Sequence, residues 1–325
     1  MLATLRLKDF DMASYLRLSA CTVGVLGSLC MTSFASAGAV PPNDFLNPSE
    51  NVAEYINCLA HNKATLVSVH RAGPKPGFPE NALESMQEAL KQGPMLLEVD
   101  IRETADGHLV LMHDVTLDRT TTGSGDLGEY TLAELADIRL VDNDGNTTEF
   151  AIPTLQQVLA WADERAIVQL DLKRGIDYAQ VVKAVVEADA VDSTLIIAYR
   201  LENVLTSIAL EPKLSFSYSI NDRDDLAELE QAGVSASQIV AWTGVVDGAD
   251  KPVWPELESL NLPFAAGAFW HLENEMLQTG DVQAYIDLAE AGVDIIGSDN
   301  YWMAYSTLAT RQNISEAIKT CEGRY

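Results

Sequence analysis

Basic residues are scarce in this chain: 21 lysines and arginines stand against 48 aspartates and glutamates, a formal net charge of −27 over 325 residues. So acidic a surface argues against nucleic acid and anionic membrane faces as partners. It also repels small anionic substrates, so any phosphate site must carry its own positive charge, from a metal ion, Arg71 or Lys173. Long apolar runs are missing as well. Residues 23–29 form an apolar stretch, but it is short for a membrane span and Ser and Thr interrupt its surroundings. No glycine-rich loop follows the first strand-like segment, which argues against an open doubly wound sheet that grips a dinucleotide. No low-complexity run or long linker divides the chain beyond its N-terminus.

That N-terminus reads as an export signal. Arg6, Lys8 and Arg17 supply a basic region diluted by Asp9 and Asp11, and Ala35-Ser36-Ala37 fits the small-residue cleavage rule. Met12 offers an alternative start with Arg17 as its charge. The expected division is a cleaved signal at 1–37 and one domain at 38–325, without a stable membrane anchor in the mature chain and with a periplasmic or secreted destination. Of the four cysteines, cleavage leaves Cys58 and Cys321. In an oxidising compartment these two can join, and in a closed barrel the first and last elements are neighbours. Two buried free thiols are the other reading.

The remainder alternates β-like and amphipathic helical runs. Strands are expected at 65–69, 95–101, 167–172, 194–198, 214–219, 238–242, 263–269 and 294–297, with a further extended run at 108–112. Helices are expected at 81–92, 131–135 and from Thr154, a plausible N-cap after Pro153, through Asp163. About eight βα-units of this kind close a TIM (β/α)8 barrel, here one α/β domain with a small insertion after the second strand.

Strand alternation then locates the chemistry. Side chains at i and i+2 share a face, so Glu98 and Asp100 point together, as do Asp171 and Lys173 with Gln169, and His70 with Ser68. The intervening Val67, Val69, Leu97, Val99, Leu170 and Leu172 are apolar and suit the helix-facing side. The ionisable residues fall at C-terminal strand ends, where barrel enzymes place their active sites. Carboxylates inside a barrel are costly unless paired or bound to a cation. Glu98, Asp100 and Asp171 therefore form either a salt-bridge cluster with Lys173 and Arg71 or a hard-cation site for one calcium or magnesium ion.

In order, His70-Arg71, Pro79-Glu80-Asn81, Glu98-Val99-Asp100, Thr104-Ala105-Asp106-Gly107, His113-Asp114, Arg119-Thr120-Thr121, Ile152-Pro153-Thr154-Leu155 and Asp171-Leu172-Lys173 resemble the successive motifs of the glycerophosphodiester phosphodiesterase family. Residues 292–296 and Ser298-Asp299 resemble the family's final strand and loop. The resemblance implies a barrel phosphodiesterase acting on a small-molecule glycerophosphodiester, with His70 and His113 as general acid and base. It implies that Glu98, Asp100 and Asp171 hold one divalent metal and that Arg71 and Lys173 contact the phosphate. Trp270 and Glu80 join the substrate-binding set, although Glu80 can equally orient a histidine or lie beside the metal. Three departures stand out: Ala72-Gly73 after the His-Arg pair, Asp171 where glutamate is more usual, and the unfamiliar surroundings of Trp270.

Other features weigh less. His61 and His108 suit surface or capping roles, and His271 suits a substrate contact or a structural one about equally. The run from Asp142 to Asn146 echoes part of a calcium loop but lacks its closing glutamate, so a polar turn is the better reading. Two further functions remain in view: a phospholipase D-like or phosphatidylinositol-cleaving barrel, with Trp270, Tyr301 and Trp302 as an apolar rim, and a phosphodiester-binding protein without turnover.

Overall fold

A computed structural model of the chain describes residues 45–48 and 51–323. The expected export signal, with Cys21 and Cys30, lies outside the described residues. Eleven strands follow in chain order. They are β1 (Leu66–Val69), β2 (Leu96–Glu103), β3 (Leu109–Leu111), β4 (Arg139–Val141), β5 (Thr147–Ala151), β6 (Val168–Leu172), β7 (Thr194–Ala198), β8 (Ser215–Ser219), β9 (Ile239–Val245), β10 (Phe264–Gly267) and β11 (Ile295–Ser298). Eight of them, β1, β2 and β6 to β11, pair in parallel, and β1 bonds to both β2 and β11, closing the (β/α)8 barrel. All eight expected barrel strands are present, with ends shifted by a few residues.

The period-two pattern is realised. Val67, Val69, Leu97, Val99, Val168 and Leu170 pack outward in the main core against the helices. Leu66, Leu96, Ile167, Leu195, Val240 and Ile295 point inward and form the floor of the barrel. Helix Val52–His61, capped by the Asn51 side chain, seals that floor from below with Val52, Ile56 and Leu59, and helix Ile314–Cys321 adds Ile314 and Ile318. Each such side chain, fully removed from water, contributes roughly 1.5–3 kcal/mol. Cys58 and Cys321 form a disulfide between these two helices, bridging 263 residues of sequence.

The insertion lies between β2 and β6. The end of β2 turns back antiparallel onto β3, and β4 pairs with β5 as a separate hairpin. It has its own apolar cluster, including Val110, Met112, Leu117, Leu127 and Leu140. This cluster makes the segment after β3 a rigid arm, not a loose loop, and the arm carries His113. Thr131 and Thr154 each cap a helix through a reciprocal box with Glu134 and Gln157. The helix expected at 81–92 is shorter, Leu83–Leu90, because Asn81 adopts a left-handed conformation (φ +57°) to bond strand β2. Asp142 accepts backbone N–H groups from Gly77, Asp144 and Asn146, the polar turn expected there.

Reducing the disulfide should destabilise the fold by about 2–4 kcal/mol, through the entropy regained by a long loop in the unfolded chain. Thermal melts with and without reductant check this; coincident melts would contradict it.

Candidate active site

Six of the sequence-predicted residues, His70, Arg71, Glu98, His113, Asp171 and Lys173, line one cavity of about 340 Å³ at the C-terminal end of the barrel, with Trp270 at its mouth. Their positions follow from the strand ends: His70 closes β1, Glu98 and Asp100 lie on β2, and Asp171 lies on β6. Asp100 and Asp171 are direct partners in the β2–β6 ladder. One oxygen from each of Glu98, Asp100 and Asp171 lies within 4.8 Å of the others, and all three residues are buried.

The carboxylates are not equivalent. Lys173 Nζ sits 2.5 Å from both Asp100 Oδ1 and Asp171 Oδ2. Asn81 Nδ2 donates to Asp100 Oδ2 at 2.6 Å, and the Tyr199 hydroxyl donates to Asp171 Oδ1 at 2.6 Å. Glu98 receives only the backbone N–H of Arg71, at 2.7 Å. Burial, then the neighbouring Asp100 charge, push the Glu98 carboxyl up to about 8. Lys173 thus accounts for two of the acids, and the salt-bridge reading leaves Glu98 without a cation. Three hard oxygen donors around one point fit a single divalent ion, whose ligand distances of about 2.3–2.6 Å span such a gap.

Each histidine is held through Nδ1. His70 donates to Asp299 Oδ1 at 2.6 Å, and its ring stacks on Phe269 at 4.8 Å with the planes 14° apart. Gly267 and Gly297 make that stack possible: a Cβ at Gly267 would stand 2.7 Å from the Phe269 ring. Burial pulls the His70 imidazole down, but the Asp299 hydrogen bond and the charges of Glu98 and Asp299 outweigh it and raise it overall. His113 donates to Asp114 Oδ1 at 2.7 Å, while its carbonyl accepts two hydrogen bonds from Arg102. Because a carboxylate can only accept, Nδ1 carries the proton in both rings and Nε2 is the nitrogen left for chemistry.

The sequence reading gave no role to Arg119 or Glu273, which help hold this arrangement, and it put Glu80 in the substrate-binding set. Arg119 binds Asp114 through Nε at 2.6 Å and Glu80 through two donors at 2.8 Å each. Its guanidinium is the main reason Asp114 stays far below the usual carboxylate range. Glu80 is 4% exposed and lies between Arg119 and Arg71, whose Nη1 is 3.3 Å away. It therefore anchors cations and contacts neither imidazole. Glu273, 1% exposed, accepts from Tyr285, Ser298, the Asp299 and Asn300 backbone and the Asn300 side chain. One buried carboxylate thus pins the loop that presents Asp299 to His70. In the sequence, Glu273 looks like one more charge on a helix; only its contacts reveal it.

Arg71, Ala72 and Gly73 all take left-handed backbone angles (φ +51°, +65° and +81°), so the Ala72-Gly73 departure is absorbed in a strained turn. That turn aims the Arg71 N–H at Glu98. Trp270 is 62% exposed. The rim expected from Trp270, Tyr301 and Trp302 is not formed as such: Tyr301 is fully buried in the main core. His61 ends a helix and His108 stands beside Asp106. His271 is exposed at a helix start, 3.8 Å from Asp247.

A closed parallel barrel with buried acids and two carboxylate-held imidazoles at its mouth defines a class of polar, charge-dense barrel sites suited to acid–base work on a phosphoester. The sequence model of the Glycerophosphoryl diester phosphodiesterase family matches residues 70–236, and the chain belongs to that family. A glycerophosphodiester phosphodiesterase of Caldanaerobacter subterraneus is 38% identical over 116 residues, 34% of this chain and 46% of that protein. The chain therefore spans about half the length of that curated relative. The crystal structure of a glycerophosphoryl diester phosphodiesterase from Parabacteroides distasonis superposes with a TM-score of 0.74 at 26% identity, covering 83% of this chain and 95% of that one. An Oleispira antarctica phosphodiesterase in complex with the product sn-glycerol-3-phosphate shares the fold (TM-score 0.56, 21% identity, 77% and 98% covered).

The raised Glu98 carboxyl sets a pH dependence. The cation-free folded state binds a proton that the unfolded chain has released, so this group's contribution to stability is present at low pH and lost as pH rises from the ordinary glutamate range through about 8. A divalent ion held by these acids would compete with the same proton. Calorimetric titration with calcium or magnesium should show proton release below about pH 8 and tighter binding as pH rises; affinity independent of pH would contradict it.

Proposed function

We propose that this chain is an exported, metal-dependent phosphodiesterase that hydrolyses glycerophosphodiesters to glycerol 3-phosphate and an alcohol, as its family and the product held by the Oleispira relative suggest. The observation that carries the reading is the pair of imidazoles, each with Nδ1 fixed by a carboxylate and both lining the cavity beside Glu98 and Asp171, two of the three converging acids.

In this reading one imidazole takes a proton at Nε2 from the attacking oxygen as the new P–O bond forms. The other gives a proton from Nε2 to the departing alcohol oxygen as the old P–O bond breaks. Asp299 and Asp114 keep the rings in the tautomer this needs and balance the charge that appears when a ring is protonated. Arg71 and Lys173 meet the phosphate charge, the first with a planar fork and the second as a point charge. Glu98, Asp100 and Asp171 would hold a calcium or magnesium ion, and its chemistry there would be positive charge beside the phosphoryl oxygens. Trp270, exposed and lining the same cavity, is placed to meet the substrate. Export is supported by the Cys58–Cys321 bridge, which an oxidising compartment preserves. Among the described residues, no helix is long and apolar enough to cross a membrane.

Glycerophosphocholine hydrolysis should disappear on chelation and return with calcium or magnesium. His113→Ala should lower kcat by roughly two or more orders of magnitude, with the thermal melt retained. Full turnover after exhaustive chelation, or wild-type turnover in His113→Ala, would overturn the mechanism.

A further inference from the structure

Each of the three acids has one neutral donor, and two of them share one cation. Asn81 Nδ2 holds Asp100, the Arg71 N–H holds Glu98 and the Tyr199 hydroxyl holds Asp171, while Lys173 Nζ lies between Asp100 and Asp171. These two kinds of support answer differently to a divalent ion. Like charges a few ångströms apart in a buried site repel strongly, so an ion placed among the acids would loosen the hold of the Lys173 ammonium. The neutral donors suffer no such penalty. Asp100 would then keep Asn81, and Asp171 would keep Tyr199.

Tyr199 is an unexpected anchor. It stands just past the end of β7, two residues beyond Ile197, which is the register partner of Asp171 in the β6–β7 ladder. Residues two apart share a strand face, and Ile197 and Tyr199 both line the cavity. The backbone there is pinned by Tyr178, whose hydroxyl donates to the Ile197 carbonyl at 2.9 Å. Tyr199 itself is 60% exposed, so solvent is within reach of its ring. Its hydroxyl nevertheless turns inward and donates to a buried carboxylate, at 2.6 Å. So exposed a ring adds little to the core, and the bond to Asp171 is what gives this side chain a fixed place. Hydrogen bonds that orient a ligating carboxylate commonly set metal affinity.

Resting on the metal-dependent reading proposed above, we infer that Tyr199 is a positioning residue for the cation site. Its hydroxyl fixes the Asp171 carboxylate when Lys173 yields to the ion, and so sets the affinity of the site without touching the reacting atoms.

Tyr199→Phe removes one oxygen from an exposed ring, so the ion-free thermal melt should be unchanged. Calorimetric titration with calcium or magnesium chloride should show affinity weakened by about 10–100-fold. Glycerophosphocholine turnover should fall at limiting ion and return to near the wild-type kcat and KM once the ion is raised to saturation. A direct contact with substrate would instead raise KM at every ion concentration. In an Asp171→Ala background the same substitution should cost roughly twofold or less in ion affinity, because a residue that acts through Asp171 has nothing left to act on. If that background binds too weakly to titrate, the single variant decides. Wild-type ion affinity in Tyr199→Phe, or a kcat or KM defect that saturating ion does not repair, would overturn the role of Tyr199 and leave the enzyme. A wild type that binds neither calcium nor magnesium would overturn the proposed metal dependence as well.

Discussion

Three carboxylates held out of water at one end of a barrel impose the constraint around which this molecule is built. Unpaired, such charges cost several kcal/mol each. The surrounding structure answers with a lysine between Asp100 and Asp171, an asparagine clamped to Asp100, a tyrosine on Asp171 and a strained turn that offers Glu98 a backbone N–H. These contacts still leave Glu98 high, at about 8. The site is organised by a charge deficit that a small hard cation would fill, in a protein whose surface is already strongly negative.

Tethering is the second theme. Neither imidazole hangs free: each is gripped at Nδ1 by an acid, and each acid is gripped in turn. Arg119 links Asp114 to the buried Glu80, while Glu273 gathers the loop that carries Asp299. Phe269 fixes the face of His70, and two glycines give it room. His113 rides on an insertion with its own apolar cluster, so it is positioned by packing as much as by hydrogen bonds. Rigid support of this kind suits chemistry that needs two proton-transfer groups at fixed points.

Much of this was legible beforehand. Period-two alternation in β1, β2 and β6 put His70, Glu98, Asp100, Asp171 and Lys173 on the barrel's inner face without coordinates, because a strand's geometry leaves no other place for the apolar residues between them. Helix ends were less legible: Asn81 is helix-compatible in sequence, yet its bond to Asp100 pulls it into a left-handed turn. Glu80 could not be placed from sequence, since its role depends on Arg119, 39 residues away. Trp270 and Tyr301 read alike as rim aromatics, but one is exposed and the other enclosed by the turn at Gly73.

By itself, then, the sequence determined the barrel and the inward set of ionisable residues. These depend on local periodicity, which the chain carries in every few residues. Tertiary structure alone decided which acid stays uncompensated and which loops hold the imidazoles. Those outcomes depend on contacts between residues far apart in the chain, where the distance of one side chain from another is set by packing and by nothing nearby.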